Sequence, residues 1–288
     1  MRSSARRAAV REIALLAVLY AAYSATRFAV GGDFGAARHH ALEILQIEQF
    51  LHIDVERSIN LAVTPITALS VVAAYWYATM HFVVTWTVLL ILYIKRPTLY
   101  RPARTALFAA TFVALLGYMF YPTAPPRLTA GYIDTVAATS AYGWWPSAAE
   151  QAQTASSVTN QVAAMPSMHV GWALWVSVVL ACLARRRWLK ILAFGYVAMT
   201  TAVVVLTANH WILDAVAGGA LVLVAWGVAA LSYGPERTLG RWGVPSVEAI
   251  PEDYALAGTE YHGASDATIA SELRDASHER DTGLSATG

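Results

Sequence analysis

Charge is the scarcest property of this sequence. Of its 288 residues, 14% are Asp, Glu, Lys or Arg, whereas 57% are hydrophobic. A soluble domain carries about 25% charged residues, so an ordinary water-exposed surface is excluded. The formal net charge is only +1. The positive residues fall in short clusters between apolar runs, which excludes the basic face of a nucleic-acid binder. Cysteine is nearly absent. Cys182 stands alone, so no intrachain disulfide can form, and its apolar surroundings mark it as a small buried hydrophobe. No internal repeat is visible. Turn signals are scarce inside the long apolar stretches, which argues against the short strands of a barrel.

What is abundant fits a bilayer. Ten Trp and fourteen Tyr suit a chain with many membrane interfaces, where amphipathic rings settle. A span needs about 20 mostly apolar residues to cross roughly 30 Å of hydrocarbon. Six stretches qualify: residues 13–30, 69–94, 106–121, 170–183, 191–208 and 211–232. The fourth can begin a turn earlier, at Ser167. No charged residue interrupts the second to fifth. The first reads as a retained span, because its apolar stretch is long and no small-x-small cleavage site precedes a polar start.

Orientation follows from Lys and Arg. Arg2, Arg6, Arg7 and Arg11 precede the first span. Lys95, Arg96, Arg101 and Arg104 lie between the second and third. Arg185, Arg186, Arg187 and Lys190 lie between the fourth and fifth, and Arg237 and Arg241 follow the sixth. With six spans all four clusters share one side, which is expected to be cytoplasmic together with both termini. Residues 39–60 carry Leu42, Leu45, Ile47, Phe50, Leu51 and Ile53 at helical spacing among glutamates. They predict an amphipathic helix on the outer surface. From residue 243 the chain turns polar and aperiodic, as a disordered cytoplasmic tail does. The expected fold class is therefore all-α: a polytopic membrane bundle of six helices plus one amphipathic outer-surface helix. The expected divisions are an N-terminal span and amphipathic helix (1–60), a catalytic transmembrane core (61–234) and the tail (243–288).

Three segments that this topology puts on the outer side hold the unusual residues. One is Tyr-Pro-Thr-Ala-Pro-Pro-Arg, ending at Arg127. Another is Pro166-Ser167-Met168-His169, and the third is Asn209-His210-Trp211-Ile212-Leu213-Asp214. Ser167 after a proline is a helix cap, which places His169 in a first turn where free amides and the helix dipole favour an anion. An imidazole there serves as a general acid toward a leaving oxygen. The plainer alternative is an interfacial histidine that only packs.

His210 and Asp214 are four apart and share a helix face. A carboxylate at that spacing fixes the imidazole tautomer and leaves the other nitrogen nucleophilic. Otherwise the pair pins two helices together. Arg127 is suited to clamp phosphate oxygens, or simply to face headgroups. His81 lies deep in the second span, where an ionisable residue is a functional candidate. Together with Asn209 it forms a second tier. His39, His40 and His52 read as solvated. No Cys or Glu stands at ligand spacing on the outer face, so neither a metal nor a cofactor is expected.

Pro-Ser-Met-His with a later His-x-x-x-Asp resembles the type 2 phosphatidic acid phosphatase superfamily, whose motifs are Lys-x6-Arg-Pro, Pro-Ser-Gly-His and Ser-Arg-x5-His-x3-Asp. With the Pro-Pro-Arg turn, the set looks most like the inositol phosphorylceramide synthase branch. The resemblance implies His210 as a nucleophile forming a phosphohistidine, His169 as the acid and Asp214 as the orienting residue, with Arg127 and Ser167 on the phosphate. It implies a membrane lipid as substrate and a polyol such as inositol as acceptor. Three positions depart from the pattern. Met168 replaces the motif glycine. Val203 and Val204 occupy the Ser-Arg positions. Phe120 falls where the first motif has its Lys if Arg127 takes the Arg role. Lys95-x5-Arg101-Pro102 has the wrong spacing and the wrong side for that motif. A phosphodiester headgroup carries less charge than a monoester and needs fewer cations. The expected function is accordingly a lipid phosphotransferase with an extracytoplasmic site. The alternatives are a lipid phosphate or prenyl diphosphate phosphatase, or a non-enzymatic membrane protein or transporter.

Overall fold

The structure is a computed structural model that describes residues 34–153 and 162–234, with Val10, Ala14, Val18, Ala21, Arg237 and Thr238 besides. The chain divides into two units, residues 1–244 and 245–288. Apart from Ala14, Val18 and Ala21, the first span expected from sequence lies outside the described residues, as does the polar tail.

Among the described residues the fold is helical. Helix α1 is Phe34–Phe50, α2 Glu56–Val63, α3 Thr67–Lys95 and α4 Pro97–Phe120. A loop with the short helices α5 (Thr135–Ala138) and α6 (Ala148–Gln153) follows. Then come α7 (Met168–Leu183), α8 (Arg187–Leu206) and α9 (Ile212–Tyr233). Helices α3, α4, α8 and α9 are long and apolar enough to cross a membrane, and α7 is a shorter apolar helix.

Helices consecutive in the chain pack antiparallel, pinned by side chains at both ends. Tyr118 at the end of α4 donates to the carbonyl of Pro166 just before α7 (2.7 Å). Thr105 near the start of α4 meets the hydroxyl of Tyr233 at the end of α9 (3.1 Å). Trp76 near the start of α3 donates to Thr200 near the end of α8 (3.1 Å). The core between α3, α4, α7 and α9 is filled by Leu92, Leu107, Trp175, Val176, Val179 and Val222. The indole of Trp175 donates to the carbonyl of Ala103 (2.7 Å). In an apolar interior such a bond satisfies a group that water cannot reach.

Two boundaries differ from expectation. Helix α4 begins at Pro97, nine positions before the expected apolar stretch, so Arg101 and Arg104 ride on its first turns. Pro97 at its start lacks only an amide that no helix start uses, and the Arg104 guanidinium lies over the Tyr100 ring at 5.5 Å. The expected amphipathic segment is two helices rather than one. It breaks at His52, which takes a left-handed φ of 59°. The amides of Leu51, His52 and Ile53 fold back onto the carbonyls of Ile47, Gln49 and Glu48. The buried face of α1 is Ala37, Ala41, Ile44 and Glu48, while Leu42, Ile47 and Phe50 are exposed. Small residues lie inward because the helix is pressed close to the bundle. Glu48 among them is a carboxylate where an apolar residue is the norm.

Candidate active site

Backbone bonds lace the three motif segments together at one end of the bundle. After α4, Thr123 pairs with residues 162–164. Its amide donates to the carbonyl of Val162 (2.7 Å), and its carbonyl accepts from Ala164 (3.1 Å). The amide of Ala124 donates to Ala37 of α1 (3.0 Å), and that of Arg127 to Ala208 (2.8 Å). Ala208 holds a left-handed φ of 55°, a conformation that costs a non-glycine residue about 1–2 kcal/mol. The turn is held by Val204, whose carbonyl accepts from both Asn209 (3.0 Å) and His210 (3.2 Å). The amide of Ser167 donates to the carbonyl of Asp214 (2.8 Å), so the starts of α7 and α9 are joined directly. Gly218 makes this approach possible, since a Cβ there would collide with the Ser167 carbonyl.

This scaffold brings two histidines nitrogen to nitrogen, their rings tilted by 58°. Nε2 of His210 stands 3.3 Å from Nδ1 of His169. On its other side, Nδ1 of His210 lies 2.9 Å from the carbonyl of Ala164 and 3.4 Å from Oδ2 of Asp214. A carbonyl and a carboxylate only accept. A proton therefore sits on Nδ1, and Nε2 points at His169. Ala164 is the nearer acceptor. Asp214 Oδ2 also accepts from the amide of Trp211 (2.9 Å), which anchors the carboxylate in the first turn of α9, where the helix dipole favours it.

His169 is half-buried and sandwiched by α3. Tyr77 stacks on its ring at 4.4 Å, and His81 meets it edge-on at 4.2 Å. Tyr77 and His81 are four apart, one helix face, so the intramembrane His81 of the second tier lies at the site. Arg127 lies alongside. Its Nη1 donates to Asn209 Oδ1 at 2.6 Å, and its Nε pairs with Asp134 Oδ2 at 3.3 Å. Asp134 also caps α5 through the amide of Ala137 (2.9 Å). The guanidinium is thus fixed beside the turn that carries His210, with part of its charge offset.

Other expected residues fall differently. Ser167 is fully buried, and its hydroxyl accepts from the amide of Val170 (3.5 Å), the cap that its sequence position predicts. The side chain of Met168 packs on the core. Val203 and Val204, where the motif has Ser-Arg, are buried in the bundle, so no cation reaches the site from there. Trp144 and Trp145 make their ring contacts with Tyr75 and each other. Tyr75 is two positions from Tyr77, hence on another face of α3. His40 stacks on Tyr121 at 3.8 Å, and its Nδ1 lies 2.7 Å from the Pro122 carbonyl, so it braces the Pro-rich turn rather than facing solvent alone. Sequence reasoning missed Tyr77, Asp134 and two glutamates, Glu48 and Glu56. Among the described residues no group of three His, Cys, Asp or Glu side chains suits a metal ion.

No curated protein matches this chain. Among solved structures it is similar to LpxE of Aquifex aeolicus, at 18% identity and a TM-score of 0.46, covering 63% of this chain and 94% of that one. Residues 42–228 match the PAP2 superfamily, a stretch that runs from α1 into α9 and takes in both facing histidines, Asp214 and Arg127. With more than half of its length in that match, the chain belongs to the PAP2 superfamily and is a membrane enzyme of the phosphatase or phosphotransferase kind.

Proposed function

We propose that this enzyme transfers a phosphorus-bearing group from a membrane lipid through a phosphohistidine on His210, and that the acceptor is a hydroxyl, with a polyol such as inositol as the candidate. The observation that carries the reading is the fixed tautomer of His210, with Nδ1 tied to Ala164 and Asp214 and Nε2 aimed at His169. A nucleophile and an acid that face one another define the line along which a phosphoryl centre is displaced. Nε2 attacks phosphorus, the P–N bond forms as the P–O bond to the leaving group breaks, and His169 gives its proton to that oxygen. The acceptor hydroxyl then attacks phosphorus and returns a proton to His169 as the P–N bond breaks. At 3.3 Å the two nitrogens leave no room for phosphorus, so one ring must turn aside when the lipid enters.

Transfer rather than hydrolysis is supported by charge. Arg127 is the cation that hydrogen bonds tie to the His210 turn, and Asp134 offsets part of it. That suits the single charge of a phosphodiester better than the double charge of a monoester. Hydrolysis is the second reading, favoured by the partial exposure of His169, which leaves water a way in. The purified enzyme, given labelled lipids with and without inositol, decides between them by mass of products. Acceptor should speed donor loss and yield a new phosphodiester. An acid-labile phosphoenzyme should form without acceptor and be missing from His210→Ala. Donor loss indifferent to every acceptor, with inorganic phosphate from a monoester or a free phosphomonoester from a diester as the sole phosphorus product, gives the hydrolase. For topology we propose that the basic end of the bundle faces the cytoplasm and the histidines the opposite side.

A further inference from the structure

The chemistry above leaves two carboxyl groups unused. Glu48 on α1 and Glu56 on α2 are both fully buried. In one continuous helix, eight positions would set them about 12 Å apart. The break at His52 folds them onto the same place, the start of α9. Oε1 of Glu56 accepts from the amide of Ile212 (2.9 Å), and Oε1 of Glu48 from that of Leu213 (2.8 Å). With Asp214 on the amide of Trp211, three carboxyl groups take three successive amides. A helix start presents only about half a positive charge, too little for three anions.

The second oxygens decide the matter. Oε2 of Glu48 and Oε2 of Glu56 are buried, and neither has a donor among the described residues. The two carboxyl groups hang on adjacent amides, and Glu56 beside Glu48 disfavours a charge there. Ionised carboxylates only accept, so they cannot satisfy each other. One proton between them satisfies both and removes one charge.

We propose that Glu48 and Glu56 hold a single proton between them, and that this acid–carboxylate pair is a positioning device that locks the first turn of α9 and so aims Asp214 and His210 at His169. The effect on turnover rests on the reaction proposed above, whereas the shared proton does not. The groups facing the pair are Asp214 from α9, with His210 beyond it, and Tyr132 from the loop. Asp54 and Arg57 flank it. Arg57 is exposed and donates to the carbonyl of Gly131. Burial, and then the hydrogen bond to Glu56, push Glu48 from 4.5 up to about 9. Between those values the folded protein holds a proton that the unfolded chain has released. The contribution to stability is therefore full below 4.5 and falls as pH rises to about 9, by up to roughly tenfold in the folded-to-unfolded ratio per pH unit.

The test uses the full chain in a bilayer mimic. Infrared difference spectra at neutral pH should show the C=O stretch of a protonated carboxyl. It should vanish in both Glu48→Gln and Glu56→Gln, because the amide supplies the donor and leaves the other glutamate ionised. Both variants should also lose the fall in denaturation stability between pH 5 and 9. Glu48→Ala should lower kcat about 100-fold, the size expected when a reacting group shifts by about 1 Å, and Glu48→Gln should recover most of it. An acid band that persists in both variants, an unchanged pH slope, or Gln no better than Ala each overturns the proposal. Full turnover in His210→Ala would overturn the reaction reading instead, whatever the infrared band shows.

Discussion

In the proposed reaction, the nitrogen of His210 that attacks is decided by two acceptors beyond the turn that carries it: the carbonyl of Ala164, 2.9 Å away, and the carboxylate of Asp214 in α9 at 3.4 Å. His169 is held instead by its ring neighbours, Tyr77 and His81, with Nδ1 toward His210. Different losses follow when each histidine is removed. A general acid contributes about 10²–10⁴-fold, and less when the leaving oxygen is already weakly basic. His169→Ala should thus lose kcat in that range on a natural lipid and recover much of it on a nitrophenyl phosphodiester. His210→Ala should recover nothing. Equal deficits on the two substrates would remove His169 from the leaving-group side. At this scale the sequence was informative wherever a residue type was out of place: a histidine inside a span, an aspartate at a helix start, an arginine closing a proline turn. Glu48 and Glu56 escaped because a glutamate among leucines on an amphipathic segment reads as solvated. Only the Ala37, Ala41, Ile44 spacing, three or four apart, hinted that the inward face was the small-residue one.

Elements were legible through hydropathy, and their ends were misjudged where charge masks a helix. Arg101 and Arg104 hid the first turns of α4, which snorkelling arginines extend beyond the hydrocarbon. The break at His52 was not legible at all, since no glycine or proline marks it and tertiary bonds from α9 select it. The contact between α7 and α9 shows what such packing does for the site. Gly218 admits the Ser167 backbone, and the bond from the Ser167 amide to the Asp214 carbonyl (2.8 Å) sets the spacing of the two histidines. Gly218→Ala should therefore cost about 1–3 kcal/mol by overpacking. It should cut kcat more sharply than stability, because an error of about 1 Å at the reacting atoms is worth about 100-fold. Gly195→Ala on α8, where a Cβ meets nothing within 4 Å, is the control and should leave both intact. Thermal denaturation and kcat on the two variants check this. A Gly218→Ala protein as active as the control would show that the starts of α7 and α9 are free to separate.

Across the whole molecule the helices separate charge from chemistry. The junction of α3 with α4, the junction of α7 with α8 and the end of α9 lie at one end, and the bonds from Thr105 to Tyr233 and from Tyr118 to Pro166 fix that alignment. Lys95, Arg96, Arg101, Arg185, Arg186 and Arg187 gather there. The two histidines, Asp214 and Arg127 occupy the other end. A cation-rich end is retained in the cytoplasm during insertion, because positive segments cross the bilayer reluctantly. In the proposed orientation the site opens to the opposite side, where the proposed acceptor must compete with bulk water. This orientation is directly measurable. In a Cys182→Ser background, a cysteine at Ala141, exposed beside the site loop, should react with a membrane-impermeant maleimide on intact cells. A cysteine at Arg186, exposed at the basic end, should react only after the membrane is opened. The reverse pattern would put the histidines in the cytoplasm. The acceptor would then be drawn from cytosolic hydroxyl compounds, and the lipid from the inner leaflet.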